Sequence, residues 1–358
     1  MLAVGGCEEH RFPTQTLYDP NAKDTLDWRL SDTLYVQQYP NWEGFNHPQG
    51  IAVGFEPLLY VADTDNDRVA MLDLAGRVIG YSPRIKRPVA LAEDRRLQLL
   101  VCAEFDTLLP GQSARTTFGA VYRLNLVAAG HNIAATTPAR VFFDPSDSTR
   151  RYTGVATMYD DKYYVSRVGP KNAITYYDRD NAILLFEKND SLMTPVTAEF
   201  SPDGTGLLSI HAVTGIATLP TGKSVEFVFS QVESNAGITP LYKVQWIRLI
   251  SVGQTTNYVS KFYPSVDGDI DLLRIKRFTR PSGVTLDPSG TLFVTDAATD
   301  SLYTFSTRGI ERYSFGGTGS GQRQFRQPSG VAYFDKTVYV ADRGNNRIVR
   351  FKLSTDLR

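Results

Sequence analysis

An all-β fold built from six repeated units is what the sequence predicts, and three observations carry that prediction. The same pattern of short apolar segments and polar turns recurs six times along the 358 residues. Within each copy the apolar segments are short or alternate with polar residues, which is typical of strands and not of helices. Aromatic residues make up 11% of the chain, and together with β-branched residues they favour sheets.

The composition excludes several classes of protein. The chain has 38 Lys+Arg against 38 Asp+Glu and is 42% hydrophobic, with 2 Cys. It is therefore neither disordered nor a disulfide scaffold. No apolar run approaches the roughly 18 residues that a transmembrane helix needs. Because the formal net charge is zero, no overall field favours nucleic acid, and such contact would need a local basic patch. The sequence shows no such patch, so we expect no nucleic-acid partner.

Two copies of the repeat match almost residue for residue. Residues 48–74 read PQGIAVGFEPLLYVADTDNDRVAMLDL, and residues 328–353 read PSGVAYFDKTVYVADRGNNRIVRFKL. A third copy, residues 281–305, keeps PSGV and FVTD. Three degenerate copies follow the same pattern from Arg87, Tyr152 and Val213 onward. Repeats of this kind predict equivalent units that stack side by side.

A small residue opens the first strand of every copy. A radial arrangement explains this regularity, because innermost strands converge near an axis where small side chains are tolerated best. One four-stranded blade takes roughly 40 to 45 residues, so six fit in residues 33–358 with the surplus in loops. The sequence therefore predicts a single six-bladed β-propeller domain of four-stranded antiparallel blades. The small residues are Gly50, Ala90, Gly154, Gly215, Gly283 and Gly330.

The motifs P-x-G-[IV]-A, Y-V-A-D and D-x-x-N-x-R, which occur in residues 48–68 and 328–347, resemble those of the NHL-repeat family of β-propellers. With the weaker copies, the resemblance covers about residues 33–353. It implies a six-bladed ring. Some members of that family bind RNA through a basic face, but here the basic residues are scattered among equal numbers of acids.

The N-terminus is predicted to close the ring. The last copy ends at Leu353 with only its third strand, and the segment Thr33 to Tyr39 has the pattern of a fourth, outer strand. Pairing these two segments would cover two sheet edges that otherwise stay exposed. Residues 1–32 are then an N-terminal tail or tether.

The start of the chain looks like the end of a bacterial lipoprotein signal. The small residues Val4, Gly5 and Gly6 precede Cys7, which is the residue that such signals lipidate. We therefore expect a periplasmic or cell-envelope protein, lipid-anchored through Cys7. The alternative is a disordered tail without modification.

Long loops between second and third strands are expected in the second, third and fourth copies, at about residues 104–119, 167–180 and 231–240. Long loops in compact domains are often functional, and aromatic and Arg residues anchor many binding sites. The predicted function is a non-enzymatic binding or scaffold propeller that recognises a protein, peptide or glycan through these loops. The predicted ligand-binding residues are Glu104, Phe118, Arg167, Tyr176, Tyr177 and Gln231.

The last residue of each second strand is expected to ring the channel mouth. The three Asp residues at this position are expected to accept backbone N–H bonds from the following turn. The other three depart from the repeat and are the better functional candidates. In chain order these six residues are Asp63, Glu104, Arg167, Gln231, Asp296 and Asp342.

A metal-dependent hydrolase or lyase is the alternative function. His47, His131 and His211 fall in predicted connections before first strands, and three imidazoles with an open fourth position suit catalytic zinc. The family resemblance points the same way, because an amidating lyase of this repeat type uses a metal and six-bladed lactonases hold calcium. Two acidic strings, residues 63–67 and 267–271, do not complete a calcium loop. In the first, Arg68 stands where an EF-hand needs Gly, and the second has no companion set of ligands. We expect no metal or other cofactor.

Overall fold

The protein is a six-bladed β-propeller. Its computed structural model describes residues 34–172, 178–196, 210–232, 242–252 and 255–356. In these residues the strands form six four-stranded sheets whose neighbouring strands are antiparallel. This confirms the predicted fold class. The predicted tail, residues 1–32, lies outside the described residues.

The first strand, β1 (Tyr35–Trp42), is the outer strand of the last blade, and blade 1 begins with β2. From the inside outward, blade 1 consists of β2 (Pro48–Val53), β3 (Leu59–Asp63), β4 (Arg68–Leu72) and β5 (Val78–Tyr81). Blade 2 consists of β6 (Lys86–Glu93), β7 (Gln98–Leu108), β8 (Arg115–Asn125) and β9 (Ala139–Phe142). Blade 3 consists of β10 (Arg151–Thr157), β11 (Tyr163–Val168), β12 (Ala182–Phe186) and β13 (Leu192–Pro195).

The second half of the ring repeats this order. Blade 4 consists of β14 (Val213–Thr218), β15 (Phe227–Gln231), β16 (Val244–Val252) and β17 (Thr255–Ser260). Blade 5 consists of β18 (Pro281–Leu286), β19 (Leu292–Asp296), β20 (Ser301–Phe305) and β21 (Glu311–Gly316). Blade 6 consists of β22 (Val331–Phe334), β23 (Thr337–Asp342), β24 (Arg347–Leu353) and β1.

Helical structure is confined to single turns in the part of the chain that the structure describes. One α-helical turn, α1 (Pro264–Asp267), precedes blade 5. None of these turns has the length or apolar content needed to cross a membrane. The 3-10 turns are Thr64–Asn66, Ile133–Ala135, Asp271–Leu273, Arg343–Asn345 and Ser354–Asp356.

The N-terminal strand closes the ring, as predicted. β1 pairs antiparallel with β24, from Tyr35 opposite Leu353 to Trp42 opposite Ile348. The strand lies two to three residues further along the chain than Thr33 to Tyr39. Tyr35 packs edge-on against Phe293 of blade 5, with ring centroids 5.6 Å apart. The closing strand is therefore fixed by side-chain packing as well as by backbone pairing.

Small residues permit the inner strands to touch one another. A Cβ atom on Gly283 would lie 2.2 Å from the Ser329 carbonyl oxygen, and one on Gly330 would lie 2.4 Å from that of Gln49. Real Cβ atoms do not approach backbone oxygens so closely. The glycines at these positions therefore set how tightly the blades converge.

Hydroxyl groups beside these glycines fasten neighbouring blades together. The residue before the inner glycine in blades 3 to 6 is Thr or Ser, and each donates to a backbone carbonyl of the next blade. Blade 1 has Gln49 at this position, and there Thr64 donates to the Pro88 carbonyl oxygen at 2.7 Å. The bonds that the Thr and Ser residues of blades 3 to 6 donate run from Thr153 to Val213 (2.6 Å), Thr214 to Pro281 (2.7 Å), Ser282 to Pro328 (2.6 Å) and Ser329 to Pro48 (3.0 Å).

The hydrophobic core lies between blades and not on the axis. Each gap between adjacent blades holds one cluster of buried apolar side chains in the described residues. For example, Tyr60 of blade 1 packs with Val101 of blade 2, and Cys102 of blade 2 packs with Tyr163 of blade 3. The axis itself is left as a channel, and this channel holds the candidate site.

Candidate functional site

The channel opens as a cavity on each face of the ring. The face that carries the connections entering the inner strands, and those between second and third strands, has a cavity of about 430 Å³. The cavity at the opposite face has a volume of about 600 Å³. Both volumes fall in the range of ordinary small-ligand pockets.

Arginine dominates the charge of the first cavity. The charged residues that line it in the described part of the chain are Arg87, Glu104, Arg151, Arg280 and Arg343. We call these five residues the arginine mouth. Their formal charges, four positive and one negative, sum to +3. The expectation that the chain has no basic patch is therefore wrong at this point, because the fold gathers residues that are scattered along the sequence.

A single repeat position supplies three of the arginines. Arg87, Arg151 and Arg280 each stand three residues before the small residue of their inner strand. The equivalent positions in the other blades hold His47, Ala212 and Gln327. Positive φ angles at four of the six, for example 46° at Arg87, turn the chain sharply into the inner strand. Sequence analysis missed this position, although counting back from the inner glycine would have found it.

The residues that end the second strands lie behind the connections into the inner strands and hydrogen-bond to their backbone. Asp63 accepts the backbone N–H of Asn46 at 2.7 Å, and Asp342 accepts that of Arg326 at 2.7 Å. Both carboxylates are fully buried and also bind an Arg side chain of their own turn. These Asp residues are therefore structural, but their backbone donors belong to the connection into the inner strand and not to the following turn, as had been expected. Their side chains do not line the cavity.

In blade 4, Gln231 has the same structural role as Asp63 and Asp342 in their blades. Its side-chain oxygen accepts the backbone N–H of His211 at 2.8 Å, and its amide nitrogen donates to the Tyr242 carbonyl oxygen at 2.8 Å. The residue is fully buried. The expectation that Gln231 lies at the channel mouth is therefore corrected: it supports a connection from behind.

Arg167 is also buried in its own blade. Its Nε donates to the Asp180 carbonyl oxygen at 3.1 Å, and its guanidinium pairs with Asp178. The residue is 4% exposed. Because its donors are used within blade 3, Arg167 does not reach the cavity wall, contrary to expectation. Glu104 alone of the predicted mouth residues lines the cavity, where it pairs with Arg151 at 3.2 Å.

The long loop predicted in blade 2 is a regular hairpin. Strands β7 and β8 remain paired from Gln98 opposite Asn125 out to Leu108 opposite Arg115. Phe118 is 2% exposed and stacks on Phe105, with ring centroids 5.7 Å apart. Phe118 therefore packs within the hairpin and is not presented on the surface of a loop, where the sequence places it. Tyr176 and Tyr177 lie outside the described residues.

Two of the arginines have side-chain N–H groups without a hydrogen-bond partner in the described part of the chain. The Arg280 side chain is exposed and has no hydrogen-bond or ion-pair partner in the described part of the chain. The Nε of Arg343 is buried and without a hydrogen-bond partner there. By contrast, Arg87 pairs with Asp65 at 3.2 Å. Burial of an unpaired guanidinium nitrogen is costly, so an incoming acceptor would be stabilised at this place.

The three histidines proposed as alternative metal ligands do not come together. His47 is exposed and contacts Asp65 at 2.7 Å. His131 lies in the connection between β8 and β9, on the opposite face, and contacts Glu56 at 2.9 Å. His211 is buried, and burial lowers its pKa, with the nearby charge of Arg179 acting in the same direction. No cluster of three or more His, Cys, Asp or Glu suited to a metal ion occurs among the described residues.

Comparison with known proteins agrees with the fold and the repeat. The NHL repeat family matches residues 325–351, which span the connection into blade 6, strands β22 and β23, and most of β24. No curated protein sequence matches the chain. The chain is therefore a six-bladed β-propeller with an NHL repeat in its last blade.

Solved structures with a similar fold include enzymes and a binding protein. A luciferin-regenerating enzyme is 11% identical with a TM-score of 0.58, over 89% of this chain and 95% of that chain. A gluconolactonase from Xanthomonas campestris is 10% identical with a TM-score of 0.54, over 90% and 89%. An auxiliary nutrient binding protein from Bacteroides thetaiotaomicron is 11% identical with a TM-score of 0.58, over 87% and 70%. At such identities the likeness concerns the fold alone.

Proposed function

We propose that the protein is a non-enzymatic binding propeller that holds an acidic ligand at the arginine mouth. The observation that carries the proposal is the gathering of Arg87, Arg151, Arg280 and Arg343 around one cavity, with Glu104 as the single acid among the described residues that line it. Guanidinium groups bind carboxylates and phosphates through paired hydrogen bonds. The spare donors of Arg280 and Arg343 supply those bonds.

The position of the mouth favours recognition of a ligand over a purely structural role for the arginines. Arg280 makes no side-chain bond to the rest of the described chain, so the fold does not need its charge. A concave site also shields charges from solvent, which strengthens their attraction for an anion. Partners with suitable chemistry are an acidic segment of a protein or peptide and a glycan that carries uronate groups.

Binding of two defined polyanions tests the proposal. Hexaglutamate represents an acidic peptide and hexagalacturonate an acidic glycan, and calorimetry at low salt measures the dissociation constant of each. We expect one of them to bind, and the Arg280→Glu substitution to weaken that binding at least about tenfold, which is about 1.4 kcal/mol. Reversing one charge next to the ligand turns attraction into repulsion.

The matched control is Arg308→Glu, in the same blade. Arg308 is exposed in the turn between β20 and β21, on the face opposite the arginine mouth. It changes the net charge by the same amount, so it should leave binding unchanged. Equal weakening by both substitutions, or stoichiometric zinc or calcium in the purified protein, would contradict the proposal and favour the metal-dependent enzyme.

We further propose that the protein works in the cell envelope, tethered through a lipid on Cys7. The support is the segment Val4, Gly5, Gly6 and Cys7, which lies outside the described residues. Expression in a bacterium with a complete signal sequence placed upstream should give a membrane-associated protein, and Cys7→Ser should release it to the soluble fraction. An unchanged distribution between the two fractions rejects the tether.

A further inference from the structure

The two cavities of the channel meet at a ring of aliphatic side chains. The residue that follows the inner small residue in each blade lines the cavity at the arginine mouth and also the cavity at the opposite face. We call this ring the aliphatic waist. Its members are Ile51, Leu91, Val155, Ile216, Val284 and Val331.

The waist lines the channel without plugging it as a common core. Each of its six residues belongs to a different one of the hydrophobic clusters between blades. The six side chains therefore pack sideways into the gaps and do not form one cluster on the axis. All of them keep a small exposed area, from 4% at Val155 to 8% at Ile216. This area is an apolar channel wall.

The cavity beyond the waist is apolar and aromatic. Phe55, Tyr159, Leu219 and Phe334 line it together with small residues of the inner strands. Apolar walls of this kind hold ligands by removing their surface from water. An apolar chain that passed the waist would find room there, since the cavity has a volume of about 600 Å³.

The two ends of the channel carry net charges of opposite sign. The charged residues of the second cavity in the described chain are Glu93, Arg95 and Asp335, with formal charges that sum to −1, against +3 at the arginine mouth. Glu93 is 5% exposed and its carboxylate already accepts the Phe55 N–H at 2.7 Å and the Tyr60 hydroxyl at 2.8 Å. An anionic group is therefore stabilised at one end of the channel only.

We propose that the ligand is an anionic amphiphile with a single apolar chain, whose head binds the arginine mouth and whose chain runs through the aliphatic waist. This inference rests on the proposed function, because the same arginines hold the head. Arg280 directly precedes β18, and Val284 follows it by four residues. Extended chain would cover at most about 13 Å over this interval, and the bulge between Pro281 and Gly283 shortens it. A short chain cannot span that distance, whereas a chain of about a dodecyl length can.

Binding of alkyl carboxylates of increasing length tests this assignment. Butanoate, octanoate and dodecanoate differ only in methylene groups, and each methylene that becomes buried strengthens binding up to about fourfold. We expect dodecanoate to bind at least about 100-fold more tightly than butanoate. Dodecanol, with the same chain and no charge, should bind weakly. Dodecyl phosphate distinguishes a phosphate head from a carboxylate head.

Two substitutions separate the head from the chain. Arg280→Glu should weaken butanoate and dodecanoate by the same factor. Val284→Thr places a hydroxyl in the waist at nearly constant volume and should weaken dodecanoate alone. The control is Val294→Thr in the same blade: Val294 is fully buried and does not line either cavity. It should lower stability without changing the dependence of binding on chain length.

The outcomes distinguish the two proposals. Equal affinity for butanoate and dodecanoate, with both sensitive to Arg280→Glu, overturns the amphiphile and leaves the acidic-ligand proposal standing. If affinity rises with chain length but neither Arg280→Glu nor Val284→Thr changes it, the alkyl chain binds elsewhere. That result also overturns the amphiphile proposal. Failure of every carboxylate, of hexaglutamate and of hexagalacturonate overturns both proposals.

Discussion

Asp296 holds the backbone of Arg280: both carboxylate oxygens lie 3.0 Å from the Arg280 backbone nitrogen. The same carboxylate accepts the N–H groups of Thr279, Ala298 and Thr299. A buried acid at the end of β19 thus fixes the start of β18, and it leaves the Arg280 side chain exposed towards the cavity. One repeat position thus supports the backbone, and the other presents a side chain to the cavity.

We expect Asp296→Asn to destabilise the protein by about 1 to 3 kcal/mol, because an amide offers one acceptor oxygen to four backbone donors and leaves some of them unpaired. Urea unfolding measures the change. Asp269→Asn is the control, since Asp269 is exposed and pairs only with Arg274 in the described chain, and such surface pairs contribute little. A loss of equal size in both variants would mean that the Asp296 network is not structural.

Removal of residues 1–42 should lower the melting temperature sharply or prevent folding. This deletion removes β1, exposes the edge of β24 and takes away Tyr35 and Trp42, both of which are buried. Loss of one buried aromatic side chain alone costs about 3 to 5 kcal/mol. Removal of residues 1–20 should be mild by comparison. If the two truncated proteins melt at the same temperature, closure by β1 does not stabilise the ring.

Gly283→Ala should destabilise the protein by at least about 2 kcal/mol, because the added Cβ would lie 2.2 Å from the Ser329 carbonyl oxygen and force neighbouring blades apart. Gly80→Ala, in the outer strand β5, meets only the flexible Ile133 side chain at 3.2 Å and should cost much less. Chemical denaturation of both variants measures the difference. Equal costs would show that the inner strands have room to spare.

The stability of the protein should depend on the ionisation of Glu93. Burial raises the pKa of this carboxyl, although the Phe55 N–H and the Tyr60 hydroxyl donate to it. The folded state therefore binds the proton more tightly than the unfolded state, and the free energy of unfolding falls as pH rises from the unfolded pKa through the raised folded pKa. Below that window the ionisation cost is absent.

Glu93→Gln removes this cost, so the stability of the variant relative to the native protein should increase between pH 4 and pH 8. Urea unfolding across that range measures the trend. Glu43→Gln, at an exposed position, should give a flat difference over the same range. A flat difference for Glu93→Gln as well would show that the carboxylate is ionised in the folded protein at no cost.

The repeat made most of the fold predictable. Motifs such as those around Asp63 and Asp342 mark strand ends, and Gly50 and its equivalents mark the axis, so six blades and their closure followed from the sequence. The arginine mouth was not predicted from the sequence. The register of the inner strands shifts before the small residue, for example between Lys86 and Ala90, and such bulges re-aim side chains. Counting back from the small residue finds the arginine position, but it does not show that its side chain lines the cavity.

The errors at the predicted site have physical causes. The sequence puts His131 before an inner strand because β9 is only four residues long and has no buried residue, so no outer strand is predicted there. The sequence puts Phe118 in a loop, whereas strand pairing in blade 2 continues beyond the body of the blade and includes it. Gln231 differs from the Asp that the repeat has at this position. Its side-chain oxygen nevertheless accepts a backbone N–H group as that Asp does.

Closure by β1 has a consequence for synthesis of the protein. Leu34 and Ser354, which are hydrogen-bonded to each other at the end of this pairing, are 320 residues apart in the chain. At about 5 to 20 residues per second, a ribosome needs roughly 16 to 64 s to make the stretch between them. During that time the nascent β1 has no partner strand, so an aromatic strand edge stays uncovered until β24 has been made.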